Sequence, residues 1–237
     1  MIYKWRFPDA VISHRSASEL RPTETGNFFI TSNYSKKIID FKGVTLNVMG
    51  GKPALASDPK RIKDSHDILG AFRIVSNSYE MNITPSAADE LIQILKRRHL
   101  TMLSGRADDV NAGTFKNKNN RAGSTEFVDY MLVEGTLRQG FRYYAALTDP
   151  MAKAIFMMFM ISEVHPFTDG NGRISRMMGN AELFKSGQSR IIVPTVYRED
   201  YILSLKKMTN RKEPDAFIRV MDKLQHFSNH NFWGKFR

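Results

Sequence analysis

The run His165-Pro-Phe-Thr-Asp-Gly-Asn-Gly-Arg-Ile-Ser-Arg176 packs a histidine, a carboxylate, two glycines, an asparagine and two arginines into twelve positions. Upstream, Pro150 to Val164 (PMAKAIFMMFMISEV) is apolar almost all round, which predicts a buried helix with Asp149 as its cap and Pro150 in its first turn. Downstream, Arg173 to Lys185 is helix-competent and stops at Gly187. Between them Thr168 to Gly172 holds two glycines and an Asp-Gly step, turn formers that extend neither helix. The predicted unit is helix, tight loop, helix.

That unit suits phosphate chemistry. Glycines let backbone N–H groups converge on one hollow, and the following helix adds its positive end, so the loop is an anion site in waiting. Arg173 and Arg176 are three apart on one helical face beside it, where guanidinium forks match phosphate oxygens. Asp169 is a candidate ligand for Mg²⁺, which binds through one or two carboxylates plus substrate phosphates. His165, with a reference pKa near neutrality, is the candidate general base, and Phe167 the peg that pins the loop to a core. Taken singly, each residue has a plainer explanation: a packed histidine, an ordinary turn, a solvated arginine face. Their joint occurrence in one short frame favours the phosphate reading.

The same residues resemble the signature of the Fic family, His-x-Phe-x-Asp/Glu-Gly-Asn-Gly-Arg-x-x-Arg, and match each of its specified positions. The resemblance extends over about residues 62–230. It implies a mainly α fold, a Fic-type helical bundle with a short β-hairpin flap. The activity it implies is transfer of AMP from ATP to a Ser, Thr or Tyr hydroxyl of a protein. His165 is then the catalytic base, Asp169 holds Mg²⁺, and Gly170, Asn171, Gly172, Arg173 and Arg176 with Asp169 form the nucleotide site. A second family motif, Ser/Thr-x-x-x-Glu-Gly/Asn, belongs to an inhibitory helix whose glutamate engages the second signature arginine. Ser76 and Glu80 match it, with Glu80 expected to face Arg176, while Met81 departs from the Gly/Asn position and Asn82 follows one residue later.

Composition bounds the alternatives. The 237 residues are 42% hydrophobic and 25% charged, an ordinary soluble make-up for one full domain with an appendage. No apolar run reaches the ~20 residues of a membrane span, and Met1 to Trp5 carries no leader pattern. Without a single cysteine, disulfides and thiolate zinc sites are out of reach, which fits a cytoplasmic setting. The net charge of +11 attracts polyanions such as nucleotides, acidic proteins or nucleic acid. Apart from Lys96-Arg97-Arg98 and the group of Lys116, Lys118 and Arg121, the charges are spread as on a solvated face.

Along the chain, residues 1–60 predict a small β-rich unit, and residues 61–237 the Fic domain. Phe28 to Thr31, Lys37 to Phe41 and Val44 to Val48 read as strands, with Gly26-Asn27 and Lys42-Gly43 as turns. Phe7 to Ala17 resembles a segment that in some longer Fic proteins follows a winged-helix regulator-like region; DNA binding is not predicted, and His14 and Arg15 are assigned to packing and surface. Gly50 to Pro59 reads as a linker, and helical pattern begins near Ser65. A helix starting at Thr84-Pro85 ends in the basic run before Leu100. Asn111 to Lys116 resembles the family segment preceding the signature, with Lys116 reaching phosphate or solvent. Thr125 to Val133, including Phe127 and Val128, is the flap on which the family docks a target segment as an added strand. Arg190 to Tyr197 reads as an extended connector, followed by helices over Glu199 to Met208 and Pro214 to about Asn229, and a fraying tail.

Self-modification and a homodimer accord with the resemblance, as do use of another nucleotide and removal of AMP. From a different class, a basic nucleic-acid-binding regulator or toxin-like module would bind DNA with steep salt dependence and indifference to His165.

Overall fold

The computed structural model describes residues 11–12, 27–32, 37–41, 44–50, 59–123 and 125–233. They divide into two compact units, one of residues 1–58 with 194–199, the other of residues 59–193 with 200–237.

In the first unit, strands β1 (Val11–Ile12), β2 (Asn27–Ser32), β3 (Lys37–Phe41) and β4 (Val44–Gly50) form a sheet of order β1-β2-β4-β3. β3 and β4 pair antiparallel, Ile39 opposite Leu46, as close neighbours in sequence should. β2 pairs parallel with β4, Phe28 opposite Leu46. The expected β-rich unit is therefore present as strands. The expected turns at Gly26 and Lys42-Gly43, the linker interior, and the segments around His14, Arg15 and the last four residues lie outside the described residues.

The second unit is helical. Its described elements are α1 (Pro59–Val75), α2 (Ser78–Asn82), α3 (Ala88–Met102), α4 (Ala107–Val110), α5 (Val133–Ala145), α6 (Pro150–Val164), α7 (Asn171–Lys185), α8 (Arg198–Arg211) and α9 (Pro214–Ser228). A hairpin of β5 (Arg121–Ala122) and β6 (Thr125–Glu126) projects between α4 and α5.

α6 is the centre of the bundle. The Asp149 carboxylate caps it, accepting from the Ala152 N–H at 2.7 Å, and Pro150 fills a first-turn position whose missing N–H costs nothing. Buried side chains such as Ile155, Met157, Met158 and Met160 lie on more than one side of the helix, as its nearly unbroken apolar sequence requires. α7 packs tightly along it. A β-carbon at Gly179 would come within 2.6 Å of Met158 Cγ and 2.8 Å of the Ala154 carbonyl, so the close approach depends on that glycine. Ser175, wholly buried on α7, donates to the Met158 carbonyl at 2.9 Å and pairs with Ser162 at 3.0 Å, which fixes the register of the two helices.

Two differences from expectation concern helix limits. α3 begins at Ala88 rather than at Thr84-Pro85, because Ser86 donates through both N–H and Oγ to Glu90 Oε2 and so closes the start of the helix later. The stretch read as flap to Val133 is shorter than expected: a two-residue ladder passes to a 3₁₀ turn at Tyr130–Leu132 and then to α5. α5 was not anticipated, although Val133, Leu137, Phe141 and Tyr144 are spaced to line one helical face and are buried. No helix among the described residues is long and apolar enough to cross a membrane.

Candidate active site

The signature folds as the end of α6, a six-residue loop from His165 to Gly170, and the first turn of α7. His165 ends α6 in the left-handed region, φ 50°, its N–H donating to the Ile161 carbonyl. The backbone thereby turns the imidazole away from the helix axis. Phe167 is fully buried, contributing roughly 1.5–3 kcal/mol of transfer free energy, and anchors the loop. Its ring lies flat on His99 of α3, centroids 3.7 Å apart.

Asn171 holds the loop closed. Its Oδ1 accepts from the Phe167 N–H at 2.9 Å and its Nδ2 donates to the Phe167 carbonyl at 2.8 Å, while Asn120 Nδ2 donates to the same carbonyl. The Asn171 side-chain amide is thus committed to the loop, and what it offers the hollow is its backbone N–H. Gly170, at φ 77°, is the N-cap of α7; a β-carbon there would meet Met102 Cε at 2.8 Å as well as adopt a disfavoured backbone, so no other residue fits easily. The N–H groups of Asn171 and Gly172 lie in the first turn, where no intrahelical acceptor exists. Arg176 Nη1 lies within 3.5 Å of the position a Gly172 β-carbon would take, so this guanidinium covers the same turn.

His165 faces Phe127 of the flap, rings stacked with centroids 3.7 Å apart, and the Val128 side chain packs against the core beneath. Nδ1 of His165 lies 3.2 Å from the Ser162 carbonyl; donating there, it leaves Nε2 as the basic nitrogen. Burial lowers its pKa below the ordinary value, the nearby Lys116 charge works in the same direction, and the Ser162 carbonyl and Asp169 offset part of this. The histidine is neutral at pH 7, the form a base requires.

Lys116 takes neither of its expected courses. It is buried, with Nζ donating to Asn120 Oδ1 at 2.8 Å and lying 3.4 Å from the Val164 carbonyl, so it braces the last turn of α6 behind His165. His99 is a further residue that sequence reading treated only as part of a basic helix end. Its Nδ1 accepts from the Gly113 N–H and its Nε2 faces the Asp169 carbonyl at 3.0 Å, a neutral tautomer that burial enforces by lowering its pKa to about 4. It fixes the backbone under Asp169.

Asp169 itself is half exposed. Burial raises the pKa of its carboxyl, but the Arg106 guanidinium and the Gly170 N–H outweigh this and keep it ionised below the usual range. Arg106 and the α1 residue Asp67 were absent from the sequence-based site. Asp67 accepts from Arg106 Nε at 2.9 Å and Arg106 Nη2 at 2.7 Å, and also from Arg173 Nη1; Arg106 Nη2 reaches Asp169 Oδ2 in turn. No local motif marks Asp67, whose significance comes only from the packing of α1.

The expected inhibitory pair lies on two elements. Ser76, past the end of α1, turns its Oγ back to the Phe72 carbonyl. Glu80 lies on α2, capped by Asn77 through its own N–H, and its Oε1 accepts from Arg97 and Arg98 of α3, each at 2.9 Å. Those arginines had not been assigned to it. Met81, the position that departs from the motif, is fully buried in the core.

Comparison with known proteins agrees with this geometry. Residues 83–183 match the Fic/DOC family model. This span is similar to the Fic/DOC family. Among curated relatives, it is 28% identical over 192 residues to protein adenylyltransferase fic-1 of Caenorhabditis elegans, covering 74% of this chain and 35% of the relative. It is 26% identical over 219 residues to protein adenylyltransferase Fic of Drosophila persimilis, covering 88% and 41%. The chain therefore spans less than half the length of these relatives. Among solved structures, Fic-1 from C. elegans superposes with a TM-score of 0.62 at 21% identity, covering 78% of this chain and 55% of that one. A Fic family protein from Desulfovibrio desulfuricans gives 0.58 at 16%, covering 79% and 57%. The mainly α Fic fold is thus shared.

Proposed function

We propose that this Fic domain is a protein adenylyltransferase, moving AMP from ATP to a Ser, Thr or Tyr hydroxyl of a protein. The observation that carries the reading is the complete signature folded into a base-bearing helix end, a pinned loop and an open helix N-terminus. The naming of the curated relatives supports AMP as the group moved.

In this reading His165 Nε2 accepts the proton of the acceptor hydroxyl. The hydroxyl oxygen bonds to the α-phosphorus in line, the bond from that phosphorus to the bridging oxygen breaks, and pyrophosphate departs with the bonding pair. The first-turn N–H groups of α7 receive phosphate oxygens, and Arg173 and Arg176 balance the β- and γ-phosphate charge. A target segment lies along β6 and brings its hydroxyl past Phe127 to His165. Among the described residues no group of three or more acidic or histidine side chains is built to hold a metal, but one ionised, half-exposed carboxylate beside a phosphate site suits Mg²⁺. Asp169 would hold that ion, which when bound supplies neutralisation of the leaving pyrophosphate.

We assign Glu80 the role of brake. α2 packs against α7, and Arg98 ties the two by holding Glu80 while donating from Nη1 toward Met178 Sδ at 3.1 Å. An anion fixed there opposes the γ-phosphate end of the nucleotide. The chain acts in the cytoplasm in this reading, with itself among its targets; a homodimer is compatible with it.

The test of the base is His165→Ala. Transfer should vanish while ATP binding, measured by calorimetry, stays within about threefold of the wild type. Equal loss of both would refute the assignment.

A further inference from the structure

Four charged groups that come from separate parts of the chain meet beside the loop: Asp67 of α1, Arg106 before α4, Arg173 of α7 and Asp169 of the loop itself. Two are positive and two negative, so the cluster is neutral, and it closes through four ion pairs, the longest between Arg173 and Asp169. Its members differ sharply in depth. The Asp67 side chain is 1% exposed, Arg106 12%, Arg173 31% and Asp169 48%. The order from core to solvent is therefore carboxylate, two guanidiniums, carboxylate.

The depth order separates the roles of the two acids. Asp67 is anchored: both its oxygens are taken by Arg106, and Oδ2 also by Arg173. Removing a buried carboxylate from two guanidiniums would leave both without a fixed direction. Asp169 lies outside, where water competes for its pairs, and Arg173 Nη2 stands only at 3.7 Å from it. It is the exchangeable member. Arg106 Nη2 carries two N–H groups, one directed to Asp67 and one to Asp169. An incoming anion can take the second without disturbing the first.

We propose that Arg106 is a further phosphate-binding arginine of the nucleotide site, held by Asp67 as a positioning residue, with the Asp169 carboxylate standing in for a phosphate oxygen until nucleotide arrives. The ligand chemistry is the polyphosphate of a nucleoside triphosphate, since Arg106 and Arg173 form a paired cationic seat beside the first turn that receives the nearer phosphate. On exchange, Arg106 keeps its bonds to Asp67, and Asp169 is freed for the role given it above. The inference rests on the proposed nucleotide site and adds to it two residues from outside the signature.

The experiment is calorimetric titration of ATP and of AMP, with Mg²⁺ present and again with EDTA, into the wild type, Arg106→Gln and Asp67→Asn, together with the melting temperature of each. The wild type should prefer ATP to AMP. Arg106→Gln and Asp67→Asn should each weaken ATP at least tenfold, with AMP changed less than twofold and the loss persisting in EDTA. Arg106→Lys should restore part of the ATP affinity in place of Gln. Variants that melt earlier but keep the wild-type ratio of ATP to AMP affinity would overturn the proposal, leaving the cluster a structural clamp. If Asp67→Asn does not fold, Arg106→Gln decides alone, because its side chain reaches solvent. A wild type that binds neither nucleotide would instead overturn the reading of the site on which the inference rests, a different outcome from equal ATP binding by wild type and variant.

Discussion

Two carboxylates in this molecule are each held by two arginines, and they are built inside out relative to one another. At Glu80 the deep member is a cation: the Arg98 side chain is fully buried, also donates to the Glu80 and Ile83 carbonyls, and holds a carboxylate that lies nearer the surface. At Asp67 the deep member is the anion, and the cations stand in front of it. A buried guanidinium with all three of its nitrogens bonded is a clasp for the chain that surrounds it. A buried carboxylate behind two part-exposed guanidiniums instead turns positive charge toward solvent. The first arrangement fixes an anion beside the signature helix, and the second prepares a place for one.

The comparison breaks most visibly at Arg98. Arg98→Ala removes the buried charge partner of Glu80 and the donor to the Glu80 and Ile83 carbonyls, and should cost about 3–5 kcal/mol in denaturant unfolding. A loss under about 1 kcal/mol would mean that Arg98 is no clasp. The two carboxylates should then respond with opposite signs. Glu80→Gly should raise self-labelling from ATP severalfold even as it lowers the melting temperature, because Arg98 loses its charge partner. Asp67→Asn should lower ATP affinity at least tenfold. Two variants moving activity and affinity in the same direction would remove the distinction.

Acidity gives a third handle. His165 has its pKa held below the ordinary value, foremost by burial, so the neutral base is fully present at pH 7. The transfer rate should fall as pH drops through a histidine pKa that lies below the ordinary value, and not before. Replacing Lys116 by Met removes a cation that disfavours the imidazolium, and should move that acid limb to higher pH. A limb that moves lower would contradict the placement of Lys116 behind the base. The smallest effect is at Arg97, half exposed on the outer side of Glu80: Arg97→Ala should change stability by less than about 1 kcal/mol, and less still in high salt.

What could be read in the sequence follows the same division. The signature is contiguous, so its loop, its capping by Asp149 and the burial of Phe167 follow from residues that touch their neighbours in sequence. α5 is equally local, since the spacing of Val133, Leu137, Phe141 and Tyr144 along one helical face can be read without any tertiary contact. Asp67, Arg106 and His99 were not legible, because nothing beside them in sequence marks them. Asp67 meets Arg173 across 106 positions and His99 meets Asp169 across 70, contacts that exist only once α1 and α3 have packed against the loop. For Glu80 the motif names Arg176 as the partner to expect, whereas Arg97 and Arg98 reach the carboxylate from α3, a contact that no spacing along the chain announces. The basic run at Lys96 to Arg98, which reads as the basic end of a helix, turns one arginine wholly inward.

In the proposed function this domain moves AMP from ATP onto a hydroxyl through His165, under restraint by Glu80. The most direct measurement is incubation of the wild type, Glu80→Gly and His165→Ala with Mg²⁺ and ATP labelled at the α-phosphate, followed by counting label retained on denatured protein. The account predicts label in the wild type, more in Glu80→Gly and none in His165→Ala. Absence of label from both the wild type and Glu80→Gly, in folded protein that binds ATP, or label that survives His165→Ala, would contradict it.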